Sequence, residues 1–204
     1  MTLPVSAFTG DMSSPVATGI DGTGAWITPG PTTISWTVLP NAGYWNYSYR
    51  IEVPEEGGAV SHFILETSDN FSSSDIWDIV FTEGSYGKTE IMEHVAGGGG
   101  NPGMPTNVYG IKFDATTGRI LEFSFKSSRV PMWGDFYIKD GMAGGAMNAA
   151  WNRGFAALNP TVGPHDGPEE WHMLVPDTVV PEPASLLVIG SGLAGLLLRR
   201  RRRV

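Results

Sequence analysis

The chain has 204 residues, no cysteine, and 21 acidic against 13 basic side chains. Without cysteine, disulfides and thiolate metal sites are excluded, so packing alone must stabilise the fold. Five of the 13 basic residues stand together at 199–203, which leaves residues 1–183 with 8 basic and 21 acidic side chains and a net charge of −13. Such a surface repels phosphates, so we predict no nucleic-acid partner.

The N-terminal part, residues 1–32, is rich in Ser, Gly, Thr and Pro. This composition predicts a flexible segment that adds at most one edge strand. Residues 1–30 contain neither a basic segment nor an apolar run, so we expect no secretion signal within them.

The central part, residues 33–176, contains a series of short strand patterns. Apolar and polar residues alternate in some segments, and denser apolar runs predict strands buried on both faces. The alternating segments are 34–38, 45–53, 109–113 and 121–125, the dense runs are 60–65 and 76–81, and further strands are predicted at 133–138 and 171–175. About eight short strands joined by Gly-rich turns predict an all-β ectodomain, an antiparallel jelly-roll-like β-sandwich.

Two segments interrupt these patterns. Residues 97–105 contain four consecutive glycines and two prolines. They lack side chains for packing and predict a flexible loop. Residues 143–158 are rich in Ala and Gly, with Trp151 and Phe155 spaced i, i+4. This spacing predicts a short helix or an Ω-like loop packed over the sandwich.

One acidic stretch is a candidate calcium site. Its oxygen-bearing side chains are Glu66, Asp69, Asn70, Asp75 and Asp78. Their spacing does not follow the alternating ligands and central glycine of an EF-hand loop. A solvated acidic loop is therefore the better interpretation.

A second cluster is a candidate for zinc binding or acid–base chemistry. It contains His165, Asp166, Glu169, Glu170 and His172. The glycines and prolines around it indicate a loop rather than a preformed metal site. We therefore predict no metal ion and no cofactor.

Trp133, Asp135 and Tyr137 fall on one face of a predicted strand. Aromatic rings beside a carboxylate suit a sugar ring, through stacking and hydrogen bonds to hydroxyls, although aromatic side chains in strands more often lie in the core. The domain contains no nucleophile elbow or phosphate loop, and no two carboxylates stand out as a hydrolase pair. We predict a non-enzymatic domain, with a carbohydrate-binding module or a matrix-modifying glycoside hydrolase as the alternative.

The C-terminal part predicts a membrane tail. A linker at 177–183 leads into an uncharged, Leu- and Gly-rich segment at 184–198. A helix over that segment would reach roughly 22 Å, short of the roughly 30 Å bilayer core, so it predicts a marginal transmembrane helix. The cytoplasmic tail at 199–204 follows, because five guanidinium groups do not cross lipid: Arg199, Arg200, Arg201, Arg202 and Arg203.

The order of the tail resembles a known sorting signal. Pro181, Glu182 and Pro183, a short Leu- and Gly-rich helix and a terminal arginine cluster are similar to the PEP-CTERM signal of exported Gram-negative proteins. The resemblance covers about an eighth of the chain. It implies that the Pro-Glu-Pro segment is recognised by an exosortase, a transpeptidase-like membrane protease. Family members also carry an N-terminal secretion signal, which we expect outside the present residues.

These features together predict an exported protein of the cell envelope or the exopolysaccharide matrix, with a structural or adhesive role. Its expected partners are an exosortase-like protease, the membrane during sorting, and exopolysaccharide. The domain would lie outside the inner membrane before its release to the cell surface. A permanently anchored surface protein is the alternative, because an ordinary C-terminal anchor after a Pro-rich linker has the same composition.

Overall fold

A computed structural model describes residues 6–97, 100–141 and 147–177. Thirteen β-strands lie in these ranges: β1 Phe8–Ser13, β2 Ile20–Thr23, β3 Thr33–Asn41, β4 Tyr44–Glu52, β5 Val60–Glu66, β6 Ile76–Ser85, β7 Lys88–His94, β8 Val108–Asp114, β9 Thr117–Ser127, β10 Pro131–Gly134, β11 Phe136–Asp140, β12 Ala149–Asn152 and β13 Met173–Pro176. The helical elements in the same ranges are short 3-10 turns, Val16–Thr18, Gly24–Trp26, Glu55–Gly57 and Ser73–Asp75.

The strands form two main sheets and a separate pair. Sheet I has the order β1-β3-β4-β9-β6, sheet II has the order β2-β12-β11-β5-β8-β7, and β10 pairs with β13. Neighbouring strands are antiparallel throughout. The prediction of an all-β, antiparallel fold is confirmed, while the jelly-roll topology stays a prediction.

The two sheets face each other across one aromatic core. Phe63 in sheet II lies 5.6 Å from Phe123 and 6.4 Å from Tyr49 in sheet I, measured between ring centroids. Phe113 in sheet II lies 5.0 Å from Phe123. Aromatic pairs at these separations stabilise the fold beyond the burial of their apolar surface. The inward faces of the two sheets therefore form the core.

In its described part, residues 6–32, the N-terminal segment corrects our expectation of a flexible stretch, and it contributes an edge strand to each sheet. β1 pairs along β3 at the edge of sheet I, and β2 pairs along β12 at the edge of sheet II. Trp26 is fully buried, and a Cβ on Gly57 would collide with its indole ring. The sequence pattern missed this because the buried side chains stand singly among Ser, Gly and Pro.

The outward face of sheet II is covered over part of its area, around Ile64 and Tyr137. Met104 and Phe155 are buried against Ile64 and Tyr137, and the Tyr137 hydroxyl donates a hydrogen bond to the Pro102 carbonyl at 2.6 Å. The Gly-rich loop therefore packs on the sheet, contrary to our expectation of a loop without packing side chains. In the described part of residues 143–158 the chain forms β12 and turns, and no helix.

Strand β6 also departs from its pattern. Its dense apolar run predicts burial on both faces, but β6 is the edge of sheet I, with Trp77 and Val80 exposed. Register shifts interrupt its pairing with β9, and Asp78 adopts a φ of 52°. These bulges turn apolar side chains toward solvent.

No helix within residues 6–97, 100–141 and 147–177 is long and apolar enough to cross a bilayer. The predicted transmembrane helix at 184–198 and the tail at 199–204 lie outside the described residues. The predicted linker at 177–183 is described only at Asp177.

Candidate functional site

The structure places the predicted sugar platform inside the protein. The run 133–138 forms two strands, β10 and β11, which are separated at Asp135. Trp133 is 1% exposed and Tyr137 is 0% exposed, and the Trp133 indole donates a hydrogen bond to the Val162 carbonyl. The rings cannot stack on a sugar, so the prediction of an exposed platform here is corrected: the apolar run crosses from the strand pair into sheet II.

Asp135 instead belongs to a buried carboxyl cluster, which we define as Glu66, Asp135, Asn152 and His172. The Asn152 side-chain amide donates to Asp135 Oδ1 at 2.6 Å. The Asp135 backbone N–H donates to Glu66 Oε2 at 2.8 Å. His172 Nε2 lies 3.5 Å from Asp135 Oδ1. The cluster therefore joins β5, β12 and the segment before β13 at the point where β10 gives way to β11.

Burial sets the charge of this cluster. Removal from water and, after it, the neighbouring Glu66 carboxylate raise the pKa of Asp135, and with the opposing hydrogen bond from Asn152 the net pKa is about 8. Burial likewise raises the pKa of Glu66. Near neutral pH the Asp135 carboxyl is therefore largely protonated.

His172 is the neutral partner of the protonated carboxyl. Burial lowers its pKa, and its Nδ1 lies 3.2 Å from the Glu169 carbonyl, which can only accept a proton. Nε2 is then left as an acceptor that faces Asp135. Because both side chains are almost fully buried, this pair cannot reach a substrate.

The local backbone is shaped around His172. Glu170 and Trp171 adopt positive φ values of 47° and 66°, which are uncommon for residues with side chains. A Cβ on Gly154 would lie 2.5 Å from His172 Cε1. Sequence reasoning named His172 and Asp135, but it missed Asn152, because a lone Asn in a short strand carries no recognisable signal.

The predicted histidine cluster is divided between two environments. His165 is exposed, with Nε2 at 3.0 Å from Glu169 Oε2, and its ring packs against Trp133 at 4.8 Å. A hydrogen bond with the Asp166 carbonyl raises the pKa of His165. His172 is buried with Asp135. Among the residues that the structure describes, no three His, Asp or Glu side chains are grouped as metal ligands would be.

The acidic stretch is also divided, and two of its carboxylates have basic partners. Asp75 lies 3.0 Å from Arg129 Nε, and Asp78 lies 2.7 Å from Lys126 Nζ. Burial alone would raise the pKa of Asp75, but hydrogen bonds from Arg129 and Ser72 outweigh it and lower the pKa to about 2. Glu66 points into the buried carboxyl cluster. The stretch is therefore tied into the fold by ion pairs.

Asp177, the last residue that the structure describes, is held by two hydrogen bonds. The Ser68 backbone N–H donates to Asp177 Oδ1 at 2.9 Å, and the Asp177 N–H donates to the Val130 carbonyl at 3.1 Å. The predicted recognition residues Pro181, Glu182 and Pro183 lie outside the described residues.

Comparison with known proteins identifies one feature of the chain. A family model described as the PEP-CTERM protein-sorting motif matches residues 179–203. No curated protein and no solved structure matches the chain. The match confirms the resemblance seen in the Pro-Glu-Pro segment, the apolar stretch and the arginines, and it marks the chain for exosortase-dependent sorting to the cell surface.

Proposed function

We propose that this protein, which carries the PEP-CTERM protein-sorting motif at residues 179–203, is a non-enzymatic structural or adhesive component of the cell surface or its exopolysaccharide matrix. The matched motif is the observation that carries the proposal. An exosortase is the processing partner that the motif implies.

The chemistry of the tail supports a handover at the membrane. Residues 184–198 would insert as a short helix and Arg199–Arg203 would stay on the cytoplasmic side. Pro181 and Pro183 disfavour continuation of the helix and keep the segment extended, so that a protease can bind its backbone. Since Asp177 is held by Ser68 and Val130, four residues can place Pro181 at most about 14 Å from the domain. The protease would therefore work close to the domain surface.

The all-β domain ahead of the sorting motif supports a structural role. Of its two neighbouring carboxyl groups with raised pKa values, Glu66 and Asp135, Asp135 is buried, whereas a hydrolase needs both carboxyl groups open to a cleft. The domain closes on an aromatic core that is held without a disulfide. Such a sandwich suits a released protein that persists in a matrix.

The test uses the complete gene in its native host. A variant with Pro181→Ala, Glu182→Ala and Pro183→Ala is compared with the unaltered protein and with Pro168→Ala, a control proline in a surface loop. Mass spectrometry of membrane and surface fractions should find the unaltered protein and the control at the surface without the arginine tail. The triple variant should stay in the membrane fraction with an intact tail.

Two outcomes would contradict the proposal. An unaltered protein that reaches the surface with its arginines intact would be a permanently anchored protein. An unaltered protein that stays in the cytosol would not be exported at all.

A further inference from the structure

Sheet I has one face in the core and one face in solvent. The strands β3, β4 and β9 alternate between buried and accessible residues over residues 33–38, 46–52 and 121–127. We define the outer sheet face by the accessible residues Thr33, Ser35, Thr37, Asn46, Ser48, Arg50, Glu122, Ser124 and Lys126, with Tyr44 and Trp77 at one end. A groove of about 260 Å³ lies on it, lined in part by Ser35, Thr37, Ser48 and Arg50.

Hydroxyl groups cross this face in a row. Thr37 pairs directly with Ser48, and Ser48 pairs directly with Ser124. Neighbouring strands are about 4.8 Å apart, so the row repeats at that interval. In the described ranges these three hydroxyls make no hydrogen bond to another residue, and each is free to donate and accept. A ligand with its own regularly spaced hydroxyls would satisfy them.

Aromatic rings stand at one end of the outer sheet face, displaced along the strands from the hydroxyl row: Trp77 pairs with Lys126, and Tyr44 lies four residues before Ser48 in β4. The rings of Tyr44 and Trp77 lie 6.0 Å apart at an interplanar angle of 63°, and Trp77 is 36% exposed. Lys126 Nζ lies 5.4 Å above the Tyr44 ring and 2.7 Å from Asp78 Oδ2. Accessible rings beside hydrogen-bonding groups are the chemistry that the buried Trp133 and Tyr137 cannot provide.

The charges on the face exclude a polyanion. Arg50 is surrounded by the carboxylates of Glu52 at 3.0 Å, Glu83 at 3.4 Å and Glu122 at 3.1 Å, and Lys126 is paired with Asp78. Two cations thus face four carboxylates. An anionic polysaccharide, a nucleic acid or an anionic lipid would be repelled, whereas a neutral, hydroxyl-rich chain needs no counter-charge.

We propose that the outer sheet face binds a neutral polysaccharide, with sugar rings stacked on Trp77 and Tyr44 and sugar hydroxyls bonded along the Thr37–Ser48–Ser124 row. This inference names a ligand class for the proposed matrix role. It rests on the proposed function only in that the protein must reach the cell surface to meet the polysaccharide. A second copy of the chain fits the face less well, because an interface core requires apolar contact area and this face is lined by hydroxyls and charges.

The binding test uses the full chain purified in detergent. Affinity electrophoresis measures dissociation constants for dextran, xyloglucan, galactomannan and the host's own exopolysaccharide, with alginate as the anionic probe. At least one neutral polymer should bind. Trp77→Ala and Tyr44→Ala should each weaken binding about three- to tenfold, because each removes a stacking ring. Ser48→Arg should abolish binding by filling the groove, while Leu158→Ala, at a side chain that is 92% exposed and outside the face, should leave it unchanged.

Circular dichroism and the melting temperature show whether each variant is folded, so that lost binding is not lost structure. The proposal is overturned if no neutral polymer binds, if binding is unchanged in Trp77→Ala and Ser48→Arg, or if alginate alone binds. It is also overturned if analytical ultracentrifugation finds a dimer that Ser48→Arg dissociates. Sorting is measured separately: Trp77→Ala should still be exported and processed, so a failure of sorting and a failure of binding are distinguishable.

Discussion

The outward faces of the two sheets differ in what covers them. In sheet II, Ile64 and Tyr137 are buried beneath Met104 and Phe155. In sheet I, the corresponding outward positions of β3, β4 and β9 carry hydroxyl and charged side chains that remain accessible. The covered face adds stability, and the open face is available for a partner. Part of sheet II therefore contributes to stability on both of its faces, whereas sheet I keeps one accessible face.

The largest effect is expected where the two sheets meet. Phe63→Ala should lower the free energy of unfolding by about 3–5 kcal/mol, because it opens a cavity among the rings of Tyr49, Phe113 and Phe123. Urea denaturation measures the change. Val80→Ala, at an exposed position of β6, is the control and should change stability by less than about 0.5 kcal/mol. Equal effects in the two variants would mean that the inward faces are not the core.

The next effect concerns the buried carboxyl cluster of sheet II. The pKa of Asp135 is raised to about 8 in the folded protein and is about 4 in the unfolded chain. The folded state therefore holds its proton more tightly, and this group makes stability fall as pH rises from about 4 to about 8. The full change is on the order of a few kcal/mol, because one pKa unit corresponds to about 1.4 kcal/mol.

Asp135→Asn should remove this slope, because the amide oxygen still accepts from Asn152 and carries no titrating proton. The measurement is urea denaturation of both proteins at several pH values. The difference between them isolates Asp135 from His62, His94 and His172, whose lowered pKa values destabilise the fold in acid. Parallel stability curves for the two proteins would show that Asp135 does not titrate in this window.

The smallest of the three effects tests the cover of sheet II directly. Met104→Ala should cost about 2 kcal/mol, because Met104 is 4% exposed and packs on the outward face. Thr37→Ala, at an outward position of sheet I, should change stability by less than about 0.5 kcal/mol. Thermal or urea unfolding of both variants gives the comparison. If the Met104 variant were as stable as the Thr37 variant, the loop would not stabilise the sheet.

Sequence patterns predicted the strands well where one face of the strand is exposed to solvent. β3, β4, β8 and β9 follow their predicted segments closely, because alternation reports directly on a half-buried strand. The dense runs were ambiguous. The run in β5 does lie between two apolar layers, whereas the run in β6 lies at an edge, because bulges and not composition decide which way its side chains point.

Of the candidate sites, one could be predicted from local sequence and one could not. The PEP-CTERM match follows from local sequence, since Pro181, Glu182, Pro183 and the arginines are recognised as a contiguous string. The burial of Trp133 and Tyr137 could not be predicted from local sequence. An aromatic residue in a strand looks the same whether it faces a second layer or solvent, and only the loop from 100 to 107 and the segment from 147 to 162 decide which.

The sequence by itself determined the all-β class, the acidic body and the sorting motif, because composition, two-residue alternation and a short linear motif are properties of the chain alone. Tertiary structure decided the pairing of Asp135 with Asn152 and His172, the covering of sheet II, and the exposure of the Thr37–Ser48–Ser124 row. Each of these depends on residues far apart in sequence that meet only after the sheets have packed, and burial then sets their charge and their access to a ligand.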